Sequence, residues 1–222
     1  MILVTFALRQ EGVVFERRLK GTRVKNGVTI GLINEQPVAI FWLGIGFINS
    51  SRFQVAVNEL QPDLIINSGF AGAVCPELQP GDFLLAENVS SPALLQRLRG
   101  TSLFDAVGIV REVDKIIDPA EKGQLLEQEN LLAVDMESDR VATVCQTFSF
   151  PFVTARMVSD RSDEAIPGLF IGKGICQVRD IFDAAQFAVR MLRLRKKFAD
   201  RLETLIEKGG RIAEESRSQN SK

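Results

Sequence analysis

Buried strands alternating with amphipathic helices predict an α/β fold, with helices on both faces of one central sheet. Apolar, β-prone runs recur at 2–8 (ILVTFAL), 37–43 (PVAIFWL) and 64–67 (LIIN). Turn or capping residues follow these runs, and apolar residues at helical spacing follow in turn. A long helical stretch over about 179–207 closes the fold. No repeat, low-complexity block or internal boundary divides the chain. Residues 1–208 therefore read as one domain and 209–222 (GGRIAEESRSQNSK) as a polar, disordered tail.

The elements follow in order. Gln10-Glu11-Gly12 ends the first strand, and 13–19 can form a short helix. Residues 20–36 read as a hairpin turned at Lys25-Asn26-Gly27. After the 37–43 strand come Gly44-Ile45-Gly46, then Asn49-Ser50-Ser51 as the cap of a helix over 52–60. Pro62-Asp63 leads into the 64–67 strand and a glycine-rich turn, Ser68-Gly69-Phe70-Ala71-Gly72. Pro80-Gly81-Asp82 turns into a strand at 83–86. Helices are expected at 93–99 and 119–129, with a strand at 108–110 between them. The apolar run 131–134 stops at Asp135-Met136-Glu137-Ser138-Asp139, and Val141, Val144, Cys145 and Phe148 continue at helical spacing. A last strand over 150–158 ends at Ser159-Asp160.

Composition narrows the function. The chain has 222 residues, 45% hydrophobic and 25% charged, with a net charge of −1, so nothing in its balance points to nucleic acid. No apolar run approaches a membrane span, and MILVTFALRQEG reads as a strand rather than an export signal. Three scattered cysteines, with no CxxC, suggest reduced thiols and a cytoplasmic setting. The absence of histidine excludes Ser-His-Asp and Cys-His catalysis and any histidine-bound metal. There is no tyrosine either, so proton chemistry falls mainly to Asp and Glu.

Ligands of such sheets sit at the carboxyl ends of the strands. Glu11, Glu137 and Asp160 each follow a strand, and two glycine-rich turns join them at that edge. Carboxylates suit the breaking of a glycosidic bond. They stabilise positive charge on the sugar, activate a water and protonate the leaving group. Glu137, near a helix start, is expected to stay ionised and accept sugar hydroxyls, while Met136 offers an apolar surface to the sugar. Asp135 and Asp139 read as helix-start and solvent-facing acids. Taken singly, each of these residues has an ordinary structural reading; their joint order and spacing favour a site.

At these residues the sequence resembles the purine nucleoside phosphorylase/nucleosidase superfamily, above all the methylthioadenosine/S-adenosylhomocysteine nucleosidases. FALRQEGVVFERRL, LGIGFINSSRFQVAVNELQPDLIINSGFAGAVCPELQPGD, AVDMESDRVATVCQTFSFPFVTARMVSD and the trailing helix carry the likeness, in family order. The resemblance implies a three-layer α/β/α sandwich around a mixed sheet. It implies Glu11 as the acid that activates water and Asp160 as the acid that protonates the purine. Met136 and Glu137 would hold the ribose, and Ser159 would hydrogen-bond its neighbour Asp160. Arg156, Phe70 and Ala71 complete the implied substrate-binding set. No cofactor or metal is implied; the partners are a nucleoside, water and further copies of the chain, as a homodimer or higher homo-oligomer.

Two departures shape the expected activity. The phosphorolytic enzymes hold phosphate where this chain has Asn67 and Phe70, and Phe70 supplies no donor. Water is therefore the favoured nucleophile, with Arg9 or a neighbouring subunit's arginine as the remaining route to phosphate. The family's base-recognition stretch is also replaced by REVDKIIDPAEK, 111–122, in which Asp114 stands as a candidate acid. VDKIIDPAEK with LAVDMES further resembles nucleosidases associated with hopanoid synthesis, which act on an adenosyl-lipid. The expected activity is hydrolysis of the N-glycosidic bond of a 5′-substituted adenosine. A phosphate-dependent phosphorylase and a nucleoside-binding module without turnover are the alternatives.

Overall fold

A computed structural model describes residues 1–171 and 178–220. Among the described residues, nine strands form one mixed sheet. They are β1 (Ile2–Phe6), β2 (Lys20–Lys25), β3 (Val28–Ile33), β4 (Gln36–Trp42), β5 (Leu64–Ala73), β6 (Phe83–Ala86), β7 (Ala106–Glu112), β8 (Leu131–Asp135) and β9 (Phe152–Asp160). Their order is β2-β3-β4-β1-β5-β8-β7-β6-β9, and β5 also pairs with β9. Five strands, β5, β8, β7, β6 and β9, thereby close on themselves, while β1 to β4 extend the sheet to one side. The parallel pairs β4–β1, β1–β5 and β5–β9 bring the ends of β1, β5 and β9 to the same edge.

Among the described residues, six α-helices flank the sheet: α1 (Arg9–Glu16), α2 (Ser50–Leu60), α3 (Pro92–Arg99), α4 (Pro119–Leu125), α5 (Ser138–Thr147) and α6 (Val178–Asn220). Alternation along β1 shows how the layers form. Leu3 faces a core shared with Phe53 and Val57 of α2 and Val141 and Cys145 of α5. Ile2, Val4 and Phe6 face a second core with Phe15 of α1, Leu94 and Leu98 of α3, and Phe198, Leu202 and Ile206 of α6. The expected sandwich is thus present, with α2 and α5 on one face and α1, α3 and α6 on the other.

Several boundaries differ from expectation, helix α4 ending at Leu125 rather than at 129 among them, and three of the differences matter here. Helix α1 starts at Arg9, so Glu11 lies in its first turn rather than in the turn before it. Strand β5 runs through the expected glycine turn to Ala73. Its glycines serve close approach. A Cβ on Gly69 would lie 3.8 Å from the Glu11 carboxylate, and one on Gly72 would lie 3.0 Å from that of Asp160. Helix α6 continues past 207 to Asn220, so the stretch expected as a disordered tail is helical through 220. Gly209 packs against Leu64 within that helix.

Candidate active site

The strand ends and helix starts enclose a cavity of about 590 Å³. Glu11, Phe70, Ala71, Met136, Glu137, Ser159 and Asp160, all expected site residues, line it. Arg156 does not. It is buried beneath the floor, where Nε bonds the Asp135 carboxylate at 2.6 Å and Nη1 the Asn67 carbonyl at 2.8 Å. The sequence reading of Asp135 therefore needs correction. This acid is buried, paired with Arg156 and bonded to Ser138. A guanidinium out of water needs a fixed counter-charge, and Asp135 supplies it from the end of β8.

Glu11 is positioned by its own helix. The Leu8 amide donates to its carboxylate at 3.1 Å, forming the first turn of α1. Burial raises its pKa from 4.5 to about 7, and the neighbouring Glu137 adds to the rise; the Leu8 amide and Arg156 oppose it. A carboxyl that titrates near neutrality is suited to take a proton from water.

Glu137 opens α5 without capping it. Its carboxylate reaches back to accept the Gly46 amide at 2.9 Å. Burial raises its pKa, against the lowering effects of that amide and of Arg156. The expected gain in ionisation from a helix start is thus outweighed by desolvation. Gly44 and Gly46 take φ of 75° and 62°, the left-handed region that glycine permits, to form the turn over Ile45–Phe47. Arg140 locks this turn, donating to the Gly46 carbonyl at 2.6 Å, to the Met136 carbonyl at 3.0 Å and to Glu112.

Asp160 ends β9 with almost no exposure. One carboxylate oxygen accepts Ser159 Oγ, and the other lies 2.5 Å from Nζ of Lys122. Lys122 is itself buried and also donates to the Arg161 carbonyl at 2.8 Å. It comes from α4, which begins with Pro119 and a reciprocal capping box between Asp118 and Glu121. Sequence reasoning missed this lysine. Nothing in DPAEK marks one charged residue as inward-facing.

Segment 113–117, within the replacement stretch, supplies wall rather than acid. Val113, Ile116 and Ile117 line the cavity, whereas the Asp114 side chain is fully exposed. Aromatic surface comes from Phe170 and from Phe187 of α6, whose rings lie 5.0 Å apart. The outer wall is apolar, with Ile45, Ile116, Phe170 and Leu192 half-exposed at the mouth. Arg9 does not line the cavity; it lies over the Trp42 ring and pairs with Glu16. Asn67 is buried, bonding Thr5 and Thr154. No helix among the described residues is long and apolar enough to cross a membrane.

Known proteins with the same layout agree. The family model described as Phosphorylase superfamily matches residues 4–111. A 5′-methylthioadenosine/S-adenosylhomocysteine nucleosidase of Staphylococcus aureus is 29% identical over 162 residues, covering 59% of this chain and 71% of that protein. The solved nucleosidase of the same name from Neisseria meningitidis, in complex with methylthio-immucillin-A, superposes with a TM-score of 0.69 at 18% identity, covering 92% of this chain and 97% of that one. The native futalosine hydrolase of Helicobacter pylori gives a TM-score of 0.68 at 18% identity, covering 93% and 97%. The resemblance read from the sequence therefore stands: this chain carries the fold of the phosphorylase superfamily, and nucleosidases are among its relatives.

Proposed function

We propose that the protein is a nucleosidase that hydrolyses the N-glycosidic bond of a 5′-substituted adenosine, releasing the purine and a 5-substituted ribose. The observation that carries this reading is the convergence of Glu11, Glu137 and Asp160 on one cavity. Breaking the bond leaves positive charge at C1′ and negative charge on the purine. Asp160 serves the purine end and Glu11 takes the proton of the attacking water. Glu137 accepts the ribose hydroxyls, with Met136 packed on the sugar. Phe70, Ala71 and Ser159 shape the walls. Arg156 acts from beneath, as a positive charge that opposes the rise in pKa of both glutamates.

Water is preferred over phosphate because the expected phosphate positions offer little. Phe70 has no donor, Asn67 is engaged inside the sheet, and Arg9 is held on Trp42. The apolar mouth supports a bulky, apolar 5′ group. Unpaired Cys75 and Cys145 support a cytoplasmic setting. Assembly as a homo-oligomer rests on the family resemblance.

The test is base release from methylthioadenosine, adenosine, inosine and an adenosine bearing a long 5′ alkyl chain, with and without phosphate. Base freed without phosphate is expected, fastest from the alkyl substrate. Strict phosphate dependence would make the enzyme a phosphorylase, and binding without release would leave a nucleoside-binding module.

A further inference from the structure

The Lys122–Asp160 pair is not explained by carboxylate chemistry alone. A carboxylate paired with an ammonium at 2.5 Å carries no proton of its own to give. As an ion pair its transferable protons belong to Lys122, which touches Asp160 directly over Gly72. A side chain at position 72 would crowd both charges, at 3.0 Å from Asp160 and 3.4 Å from Lys122. Ser159 holds the other carboxylate oxygen, fixing the group in place. Lys122 itself lines the cavity. It is fastened by the Arg161 carbonyl, just beyond the strand end that carries Asp160.

We infer that Lys122 is a positioning residue that stores the proton delivered to the leaving purine through Asp160. This rests on the nucleosidase reading above. As the C1′–N9 bond breaks, its electron pair stays on the purine. The purine N7 takes a proton from the Asp160 carboxyl while Lys122 Nζ gives one to it, leaving a neutral amine. Water adds to C1′ and passes its proton to Glu11. One water is consumed. The proton gained by Glu11 and the one lost by Lys122 exchange through solvent, which resets the site. The arrangement needs no separately protonated Asp160 at the start of each cycle.

The experiment is a double-mutant cycle with Lys122→Met, Asp160→Asn and the pair together, reading kcat and KM for base release from the best purine nucleoside. Lys122→Met is expected to lower kcat about 10²-fold, the lower end of general-acid contributions, with KM little changed. The double variant is expected to be no more than about threefold below Asp160→Asn, because both act on one proton. Lys122→Arg, which keeps the donor but holds its proton more tightly, is expected to fall between wild type and Lys122→Met. An unchanged kcat for Lys122→Met, or losses that multiply in the double variant, would overturn the inference. If Lys122→Met does not fold, Lys122→Gln takes its place under the same criteria, keeping amide donors without a transferable proton. A wild type that releases no base from any nucleoside would instead overturn the nucleosidase reading and this inference with it.

Discussion

Two buried ion pairs of the same chemical kind meet the cavity differently. In Arg156–Asp135 both partners are almost wholly buried; Asp135 reaches the cavity floor, but the cation, Arg156, lies beneath it and is also bonded to two carbonyls. Lys122–Asp160 is equally buried, yet both partners line the cavity. The first ties β9 to the end of β8 and projects positive charge toward Glu11 and Glu137. The second is open to whatever fills the site. Planar, multidentate arginine suits fixed scaffolding; single-point, deprotonable lysine suits proton traffic. On the proposed role of Lys122, burial alone does not mark a charge as structural.

The sharpest way to break this comparison is to remove the cation from each pair. Arg156→Met leaves Asp135 and two buried carbonyls without the guanidinium that holds them and is expected to cost about 3–5 kcal/mol of stability. Lys122→Met leaves Asp160 beside a cavity that water can enter, and is expected to cost about 1–3 kcal/mol. Urea unfolding of both variants checks the order; equal losses would erase the distinction. Asp160→Asn is expected to keep a folded chain while losing about 10²–10⁴-fold in kcat on purine nucleosides. Full activity in that variant would remove Asp160 from the chemistry.

Glu11 gives the comparison a pH axis. Its carboxyl holds a proton more tightly in the folded chain, with a pKa of about 7 against 4.5. Folding is therefore favoured below pH 4.5 as far as this group is concerned. The advantage shrinks as pH rises through the window to 7 and is constant above it. The amplitude is on the order of 3 kcal/mol, and Glu137, raised in the same direction, adds to it. Turnover runs the opposite way, because a base must be ionised, so kcat/KM is expected to climb toward a plateau above about pH 7. Glu11→Gln is expected to flatten the stability slope between pH 5 and 8 in urea melts and to abolish turnover. A wild-type rate that falls across that range would contradict the role of Glu11 as base.

The sequence revealed residues whose role depends on strand ends and their order. Glu11, Glu137 and Asp160 stand just past apolar runs, and Met136 travels with its neighbour. What it hid depends on tertiary partners. Asp135 looks like a helix-start acid until Arg156, 21 residues away, is placed across from it. Lys122 sits in a polar helix whose inward face is set only by where α4 lands. Gly69 and Gly72 read as a turn because glycine is rare within strands; here they are strand residues trimmed to admit carboxylates. Besides Phe70, the cavity's aromatic surface comes from Phe170 and Phe187, well past the replacement stretch 111–122 in the chain.

The smallest expected effect tests the outer half of the site against its charged floor. Leu192 is largely exposed on α6 yet lines the mouth, so replacing it should disturb folding little. Leu192→Ser is expected to alter stability by under about 0.5 kcal/mol, as surface substitutions usually do. Its loss of apolar contact falls only on a substrate long enough to reach the mouth. KM for a 5′-alkyl adenosine is expected to rise about threefold to tenfold, about 1 kcal/mol of apolar contact, while KM for adenosine and kcat for both stay put. The floor would then set the chemistry and the mouth the 5′ group. An equal rise for adenosine would mean that Leu192 shapes the whole cavity and that the two halves are not separable.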